Sequence, residues 1–444
     1  MEPVRLGIAG LGTVGGGLLE LLETNGSVMA QRAGRPITVT GVSARDRSKP
    51  RPIDLSKVTW FDDPVKLAES DDIDIFVELI GGDSGPAREA VETALRRGRH
   101  VVTANKALLA HHGNTLARLA EEKGVALNFE AAVAGGIPII KALRESLSGN
   151  RVDRVYGIMN GTSNFILTMM EQHQRSFADA LAEAQRLGYA EADPTFDIGG
   201  FDTAHKLAIL TAIAFGSEVN VDAISIEGIT DITLEDITIA GELGYRIKLL
   251  GVAVNTPDGI VQRVHPALVP RVSPIADIHG AFNAVAVTGD FADDLFLSGR
   301  GAGARPTASS VAADIVDIAR GLRLSPFGIP ATSLTPYRAA SAAPLKSCYY
   351  ITMTLEDRPG SVAAVARHMA DQDISLDSII QRPTQHLPVN GTGDGGRCES
   401  APTRPVVLIT HDTTEEAVRK AIRNIESDRH SVDRPRMIRI ERIR

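Results

Sequence analysis

Short apolar runs alternate with amphipathic stretches in the first third of the chain, the pattern of a parallel sheet covered by helices. Strands are predicted at Val4–Ala9, Ile37–Ser43, Ile73–Leu79, His100–Thr103 and Val125–Phe129. Helices are predicted from Gly12 through Leu22, over Pro86–Arg97 and over Ala107–Lys123. Each crossover is long enough for a right-handed βαβ unit. From Arg151 the pattern changes to longer helices, Phe177–Leu187 and Thr203–Phe215, mixed with strands at Arg246–Val254 and Ala284–Thr288. This middle region reads as a separate α+β domain, and a helix at Thr307–Leu322 could pack back on the first one. An Ala-, Ser- and Pro-rich linker, Ser325–Ala343, leads to a last unit. Strands Tyr349–Leu355, Ser375–Gln381, Val406–His411 and Arg436–Ile440, with helices Val362–Met369 and Glu415–Ile425, give the order βαββαβ of a ferredoxin-like fold. A Gly-, Pro- and Thr-rich stretch, His386–Arg404, interrupts its middle hairpin. The expected division is 1–135, 136–323, a linker 324–346 and 347–444.

Composition narrows the class. With 444 residues, 43% hydrophobic and 23% charged, the chain reads as a soluble multidomain protein. A formal charge of −8 argues against a nucleic-acid partner, whose phosphates need clustered Lys and Arg. No apolar run reaches the length of a membrane span, and the start at Met1–Arg5 does not read as a signal peptide. The two cysteines, Cys348 and Cys398, form neither a metal spacing nor a disulfide framework, so a cytoplasmic location is expected.

The first motif with chemistry is Gly10-Leu11-Gly12-Thr13-Val14-Gly15, a G-x-G-x-x-G directly after a strand and opening a helix. The first glycine allows the tight turn, the second admits a pyrophosphate, and the third lets helix and strand pack closely. A Rossmann-type dinucleotide-binding domain follows. The second strand ends at Ser43, and Arg45 with its basic neighbours reads either as a solvated basic loop or as a contact for the 2′-phosphate of NADP(H), while Asp46 keeps NAD(H) open. Thr103-Ala104-Asn105-Lys106 closes a later strand, so Lys106 falls at the carboxyl edge of the sheet, either as a surface residue or in the crevice.

A second signature lies between Gly188 and Lys206, GYAEADPTFDIGGFDTAHK. Asp202 and Lys206 stand one helical turn apart, which suits a surface ion pair as well as a binding site holding a proton donor. With the fingerprint and Lys106 before it, this segment resembles homoserine dehydrogenase. Ala184, Gly188-Tyr189, Asp193-Pro194, Asp197-Ile198, Gly200, Asp202 and Lys206 fit that family's signature, and the likeness runs through most of the first ~320 residues. The resemblance implies NAD(P)-dependent, reversible reduction of L-aspartate 4-semialdehyde to L-homoserine. It implies Lys206 as proton donor and Lys106 as second catalytic lysine, with Glu191 and Asp202 on the substrate's amino end and Asp197 in support.

Further stretches are read through the same resemblance. Asn160-Gly161-Thr162-Ser163-Asn164 is either a substrate-contacting turn, with Gly161 and Thr162 as contacts, or a helix N-cap. Glu130 to Pro138 is either a glycine hinge or a loop holding a monovalent cation, sodium, through the Glu130 carboxylate and the carbonyls of Val133, Gly135 and Ile137. Gly188, Gly301 and Gly303 are candidate nucleotide contacts, the last two in a loop that otherwise reads as a connector. Asp357-Arg358-Pro359-Gly360 resembles the ACT domain, which implies threonine as an effector and a homodimer or homotetramer. The expected fold class is therefore α/β, with a Rossmann-type domain, an α+β catalytic and dimerisation domain, and a ferredoxin-like ACT domain.

Overall fold

The computed structural model describes residues 2–51, 54–340, 346–381, 403–428 and 431–442. The Gly-rich stretch His386–Arg404, apart from Thr403 and Arg404, lies outside the described residues, as does Cys398.

The chain opens with β1 (Val4–Ala9), α1 (Thr13–Ala33), β2 (Ile37–Ser43), β3 (Thr59–Phe61), α2 (Pro64–Glu69) and β4 (Ile75–Glu78). Then come α3 (Pro86–Arg96), β5 (His100–Thr103), α4 (Lys106–Glu122) and β6 (Leu127–Asn128). The strands form a parallel sheet in the order β3-β2-β1-β4-β5-β6. Leu6, Ile8, Ile75, Val77 and Val102 are fully buried on one face, and Phe76 and Val101 on the other, as in a sheet covered on both faces. Strand order reverses between β1 and β4, so the loops at their carboxyl ends open a crevice of the kind that receives a dinucleotide. Helix α1 runs beyond Leu22, the expected end, to Ala33. A single glycine, Gly26, costs a helix only about 1 kcal/mol, and the true stop is left-handed Gly34 at φ 74°.

The middle of the chain contains α5 (Ile139–Lys141), β7 (Val152–Ile158), α6 (Gly161–His173), α7 (Phe177–Arg186), α8 (Thr195–Ile198) and α9 (Phe201–Phe215). It continues with β8 (Ser225–Ile226), α10 (Leu234–Glu242), β9 (Tyr245–Thr256), β10 (Gly259–Pro270), β11 (Phe282–Gly289), β12 (Asp293–Arg300) and α11 (Ala304–Ala319). Strands β12, β11, β7, β9 and β10 are successive neighbours, and the first pairs are antiparallel. The hydrophobic pattern predicts only β9 and β11 here. Asp153 and Arg154 break the apolar run of β7, and β12 is a charged edge strand, where unpaired backbone tolerates polar side chains. Ser298, Gly299 and Arg300 end β12, so the strand runs up to the loop that holds Gly301 and Gly303.

Helix α11 lies on α1, with Ala308, Val311, Ala312 and Ile315 in one buried cluster with Leu18 and Leu19. Only glycine fits at the crossing, because a Cβ on Gly17 would sit 2.6 Å from the Ala304 carbonyl oxygen.

The chain divides into two compact units. One comprises Met1–Asp231, Leu249–His265 and Ile278–Ser341; the other comprises Ile232–Lys248, Pro266–Asp277 and Ala342–Arg444. The second unit contains β13 (Cys348–Glu356), α12 (Ser361–Ala370), β14 (Leu376–Gln381), β15 (Thr403–Thr410), α13 (Glu415–Ser427) and β16 (Arg436–Ile440). Its antiparallel order β16-β13-β15-β14 is the ferredoxin-like arrangement. Alternate β13 residues Tyr349, Ile351, Met353 and Leu355 join Val365, Met369, Val418 and Ile425 of the two helices in one core. Helix α10 belongs to this unit. Its buried Asp236 lies 3.3 Å from Arg436 and accepts the Tyr350 hydroxyl at 3.4 Å. No described helix is long and apolar enough to cross a membrane.

Candidate active site

The crevice begins at the glycine fingerprint. Gly10 has φ 99°, and a Cβ there would sit 2.4 Å from the Leu79 carbonyl oxygen. A Cβ on Gly15 would meet the Gly10 carbonyl at 2.1 Å, whereas one on Gly12 would meet nothing within 4 Å. Leu11 joins the core, Val14 packs partly against it, and Gly12 and Thr13 are exposed at the start of α1. That helix start has no side-chain cap and no acidic residue in its first turn, so its N–H groups and dipole remain open to an anion. Arg45 is exposed just beyond β2, and Asp46 bonds the backbone and hydroxyl of Ser48 at 2.9 and 2.7 Å.

Two lysines distant in sequence share one buried carboxylate. Asp202 Oδ2 accepts from Lys206 Nζ at 2.7 Å and from Asn160 Nδ2 at 2.8 Å, and Oδ1 lies 3.1 Å from Lys106 Nζ. Lys206 Nζ also donates to the Met159 carbonyl at 2.7 Å. Helix α9 aligns Asp202 with Lys206 one turn later, and left-handed Gly200 at φ 90° starts that helix. Helix α4 presents Lys106 as its first residue, behind the cap in which Asn105 Oδ1 accepts from Leu108 N–H at 3.1 Å.

The charges in this cluster are unequal. Burial opposes ionisation of Asp202, but Lys206, Lys106 and Asn160 outweigh it and hold the carboxyl well below its usual range. Lys106 is raised, above all by Asp202. Lys206 is lowered, because burial and the Lys106 charge outweigh the attraction of Asp202. Lys106, with its side chain 33% exposed, faces the opening and keeps its proton; Lys206, 10% exposed, loses its proton more readily. Burial, and then the Asp202 charge, raise Asp197, whose Oδ1 accepts from Asn160 Nδ2 at 2.8 Å. Phe196 lies 5.9 Å from Lys106 Nζ and packs edge-on against His205, whose ring burial holds down to about 4.

The remaining predicted residues have diverse surroundings. Glu191 is exposed, and its charge is one of those that raise Lys106. Thr162 donates its hydroxyl to the Tyr189 carbonyl at 2.7 Å, and Gly161 begins α6 where a Cβ would lie 2.9 Å from the Ala281 carbonyl oxygen. Gly188 is the exposed, left-handed end of α7, at φ 75°. Gly301 is buried, with no room for a Cβ beside Asn283, and Gly303 opens α11 at φ 117°. Asn160, left open between cap and substrate turn, caps α6 through Oδ1 at 2.7 Å from Ser163 N–H. Its amide nitrogen meanwhile joins Asp197 to Asp202, a bridge that the sequence does not disclose.

The Glu130 loop is a second buried centre. Glu130 accepts the N–H groups of Ile140 and Lys141 at 2.9 and 2.8 Å, and its own N–H donates to Asp314 at 2.8 Å. Burial, then the Asp314 charge, push Glu130 up to about 7, and burial pushes Asp314 to about 6. Val133 and Ile137 are buried, and the Gly135 carbonyl accepts the Ser310 hydroxyl at 2.6 Å. Among the described residues no group of three or more His, Cys, Asp or Glu side chains is placed to hold a metal ion.

The family model "Homoserine dehydrogenase, NAD binding domain" matches residues 10–130, and "Homoserine dehydrogenase" matches residues 138–316. The Neisseria gonorrhoeae homoserine dehydrogenase is 44% identical over 99% of both chains. The chain belongs to the homoserine dehydrogenase family. The crystal structure of a homoserine dehydrogenase from Thiobacillus denitrificans superposes with a TM-score of 0.90 at 43% identity, covering 99% of each chain. A hyperthermophilic archaeal homoserine dehydrogenase in complex with NADPH matches at a TM-score of 0.62 and 28% identity, covering 72% of this chain and 99% of that one. As a homoserine dehydrogenase, this chain is an NAD(P)-dependent oxidoreductase with a Rossmann-type domain and a separate catalytic domain.

Proposed function

We propose that this homoserine dehydrogenase interconverts L-aspartate 4-semialdehyde and L-homoserine, in threonine, methionine and isoleucine biosynthesis, with Lys206 moving the proton. The observation that carries this reading is the single carboxylate of Asp202 held between Lys206 at 2.7 Å and Lys106 at 3.1 Å. When bound, the reduced nicotinamide supplies the hydride. As the aldehyde carbon receives it, the carbonyl electron pair moves to oxygen, and that oxygen takes a proton from Lys206 Nζ. Lys106 keeps its charge near the developing alkoxide and stabilises it. In the reverse direction neutral Lys206 removes the hydroxyl proton. Glu191 binds the substrate ammonium from the rim. Asp202, with three protein donors already on it, contributes charge there and chiefly anchors the lysines. Asp197, Gly161 and Thr162 complete the substrate wall.

The test is purified protein with homoserine and either NAD or NADP, following reduced-nicotinamide absorbance, with a parallel Lys206→Ala variant. Absence of turnover with both nucleotides would refute the function, and unchanged turnover in the variant would refute the donor assignment.

NADP(H) is the preferred nucleotide in this reading. Arg45 is exposed beside the crevice, and Asp46 is engaged by Ser48 rather than free to bind ribose hydroxyls. The fingerprint Gly10 to Gly15 binds the pyrophosphate, with Gly188, Gly301 and Gly303 as further contacts. The Glu130 loop fits a monovalent cation such as sodium in donor chemistry. It offers hard oxygens from Glu130 and the carbonyls of Val133, Gly135 and Ile137, and a nearby cation would favour the charged form of a carboxyl otherwise raised to about 7.

The C-terminal module is assigned as a threonine-sensing ACT domain. Gly360 at φ 94° opens α12, and the buried Ser361 hydroxyl beside it has no hydrogen-bond partner. Inhibition by threonine that is lost in Ser361→Ala would support the assignment; no effect of threonine on rate or stability would overturn it. β14, which is at the edge of the sheet among the described residues and leaves Ile379 exposed, suits pairing of two such modules in a homodimer or homotetramer.

A further inference from the structure

Glu78 ends β4 with no exposed surface, and the proton and hydride transfers above do not use it. Its register partner is Thr103, the last residue of β5. Glu78 Oε2 accepts the Thr103 hydroxyl at 2.5 Å, and Thr103 Oγ1 in turn accepts the Asn105 N–H at 2.9 Å. Asn105 is the cap of α4, so the next residue along this chain of bonds is Lys106. The other oxygen, Oε1, accepts the N–H groups of Ile80 and Gly81 at 2.7 and 2.9 Å. The turn they begin returns to the same asparagine, because the Gly82 carbonyl accepts from Asn105 Nδ2 at 2.6 Å. Gly81 and Gly82 both have φ 87°, a conformation only glycine adopts readily.

One carboxyl therefore ties the end of β4, the glycine turn and the residue before Lys106 into a closed ring of hydrogen bonds. Three donors converge on it, a hydroxyl and two N–H groups, and a carboxylate is the side chain that presents acceptors alone. Glutamine keeps the size but brings an NH₂ that can face the Thr103 oxygen and not the two backbone N–H groups. The Thr103 hydroxyl then loses its acceptor.

We propose that Glu78 is a positioning residue that fixes Lys106 for the reaction by holding its helix cap. The inference rests on the assignment of Lys106 to the reacting centre. A double-mutant cycle on the full chain tests it. Glu78→Gln is expected to lower kcat about 10-fold while both KM values stay within about 3-fold. In a Lys106→Ala background the same substitution should cost less than about 2-fold. Labelling of Lys106 by an amine reagent, read on its peptide by mass spectrometry, should change rate in Glu78→Gln without nucleotide or substrate present. Thr103→Val breaks the same link from the other side and serves if Glu78→Gln does not fold; it should behave alike in all three readouts. Wild-type kcat and labelling in the folded variant, or an undiminished loss in the Lys106→Ala background, would overturn the proposal, as would failure of both variants to fold, which would make the ring purely structural. If Lys106→Ala alone leaves turnover unchanged, the assignment of Lys106 fails, and the labelling rate by itself decides whether Glu78 positions it.

Discussion

The first unit holds two buried acid–base clusters of opposite balance. Around Asp202, two lysines surround one carboxylate, and the carboxyl is driven below its usual range. Around Glu130, two carboxyls stand with Lys141, which is drawn toward Asp317, and both are driven up, to about 7 and about 6. Burial acts against charge in both places, so the difference comes from how many opposite charges arrive. In the first cluster two lysines converge on the single Asp202 carboxylate and keep it ionised. In the second, Lys141 lies nearer Asp317 than Asp314, at 3.9 Å from the latter, and Glu130 and Asp314 both stay raised.

The largest test of that contrast is removal of Lys206. Lys206→Ala should lower kcat on the order of 10³-fold, the range of a lost general acid, with the nucleotide KM little changed in steady-state kinetics. Asp202→Asn should leave the buried Lys206 ammonium, and the part-exposed Lys106, without their anion and destabilise the protein by about 3 kcal/mol, measured by denaturant unfolding. The second cluster should respond to pH in the opposite way from most acids. Glu130 binds its proton more tightly folded than unfolded, so its contribution to stability is fully present below about 4 and is lost as pH rises to about 7. The decline is on the order of 3 kcal/mol, sodium should oppose it above pH 7, and Glu130→Gln should flatten it in melting curves.

Turnover should titrate with the first cluster. With Lys206 as the proposed base, homoserine oxidation should rise about tenfold per pH unit below the depressed Lys206 pKa and then level off, while reduction stays level below that pKa and falls above it. With hydride transfer shown by a deuterium isotope effect to limit the rate, a flat profile would exclude Lys206 as base. The smallest expected effect is at the nucleotide end, where Arg45→Ala should raise the KM for NADP about 5-fold and leave that for NAD nearly constant.

Much of this was legible because its physics is local. The glycine fingerprint is a run of neighbours whose spacing follows from one turn and one helix start, and Asp202 with Lys206 is one helical turn. The βαββαβ order of the last module follows from periodicity that survives burial on one face only. What escaped reading depends on distant partners. Nothing near Glu130 in sequence announces Asp314, 184 residues away, yet that charge helps set its proton affinity. Asn160 carries a cap signal that hides its second task, because one amide serves a helix with its oxygen and two carboxylates with its nitrogen. Strands β7 and β12 stayed hidden because charged residues interrupt their apolar alternation.

The crossing of α11 over α1 has a consequence for synthesis on the ribosome. When residues 10–130 have emerged, Leu18 and Leu19 still lack the helix that covers them, since Ala308, Val311 and Ile315 are translated much later. The nucleotide module, begun first, is thus completed only after most of the catalytic region has been translated. A ribosome stalled before Ala304 carries a nascent chain with an apolar stripe open to chaperones, and that exposure ends only when the later helix closes over Gly17.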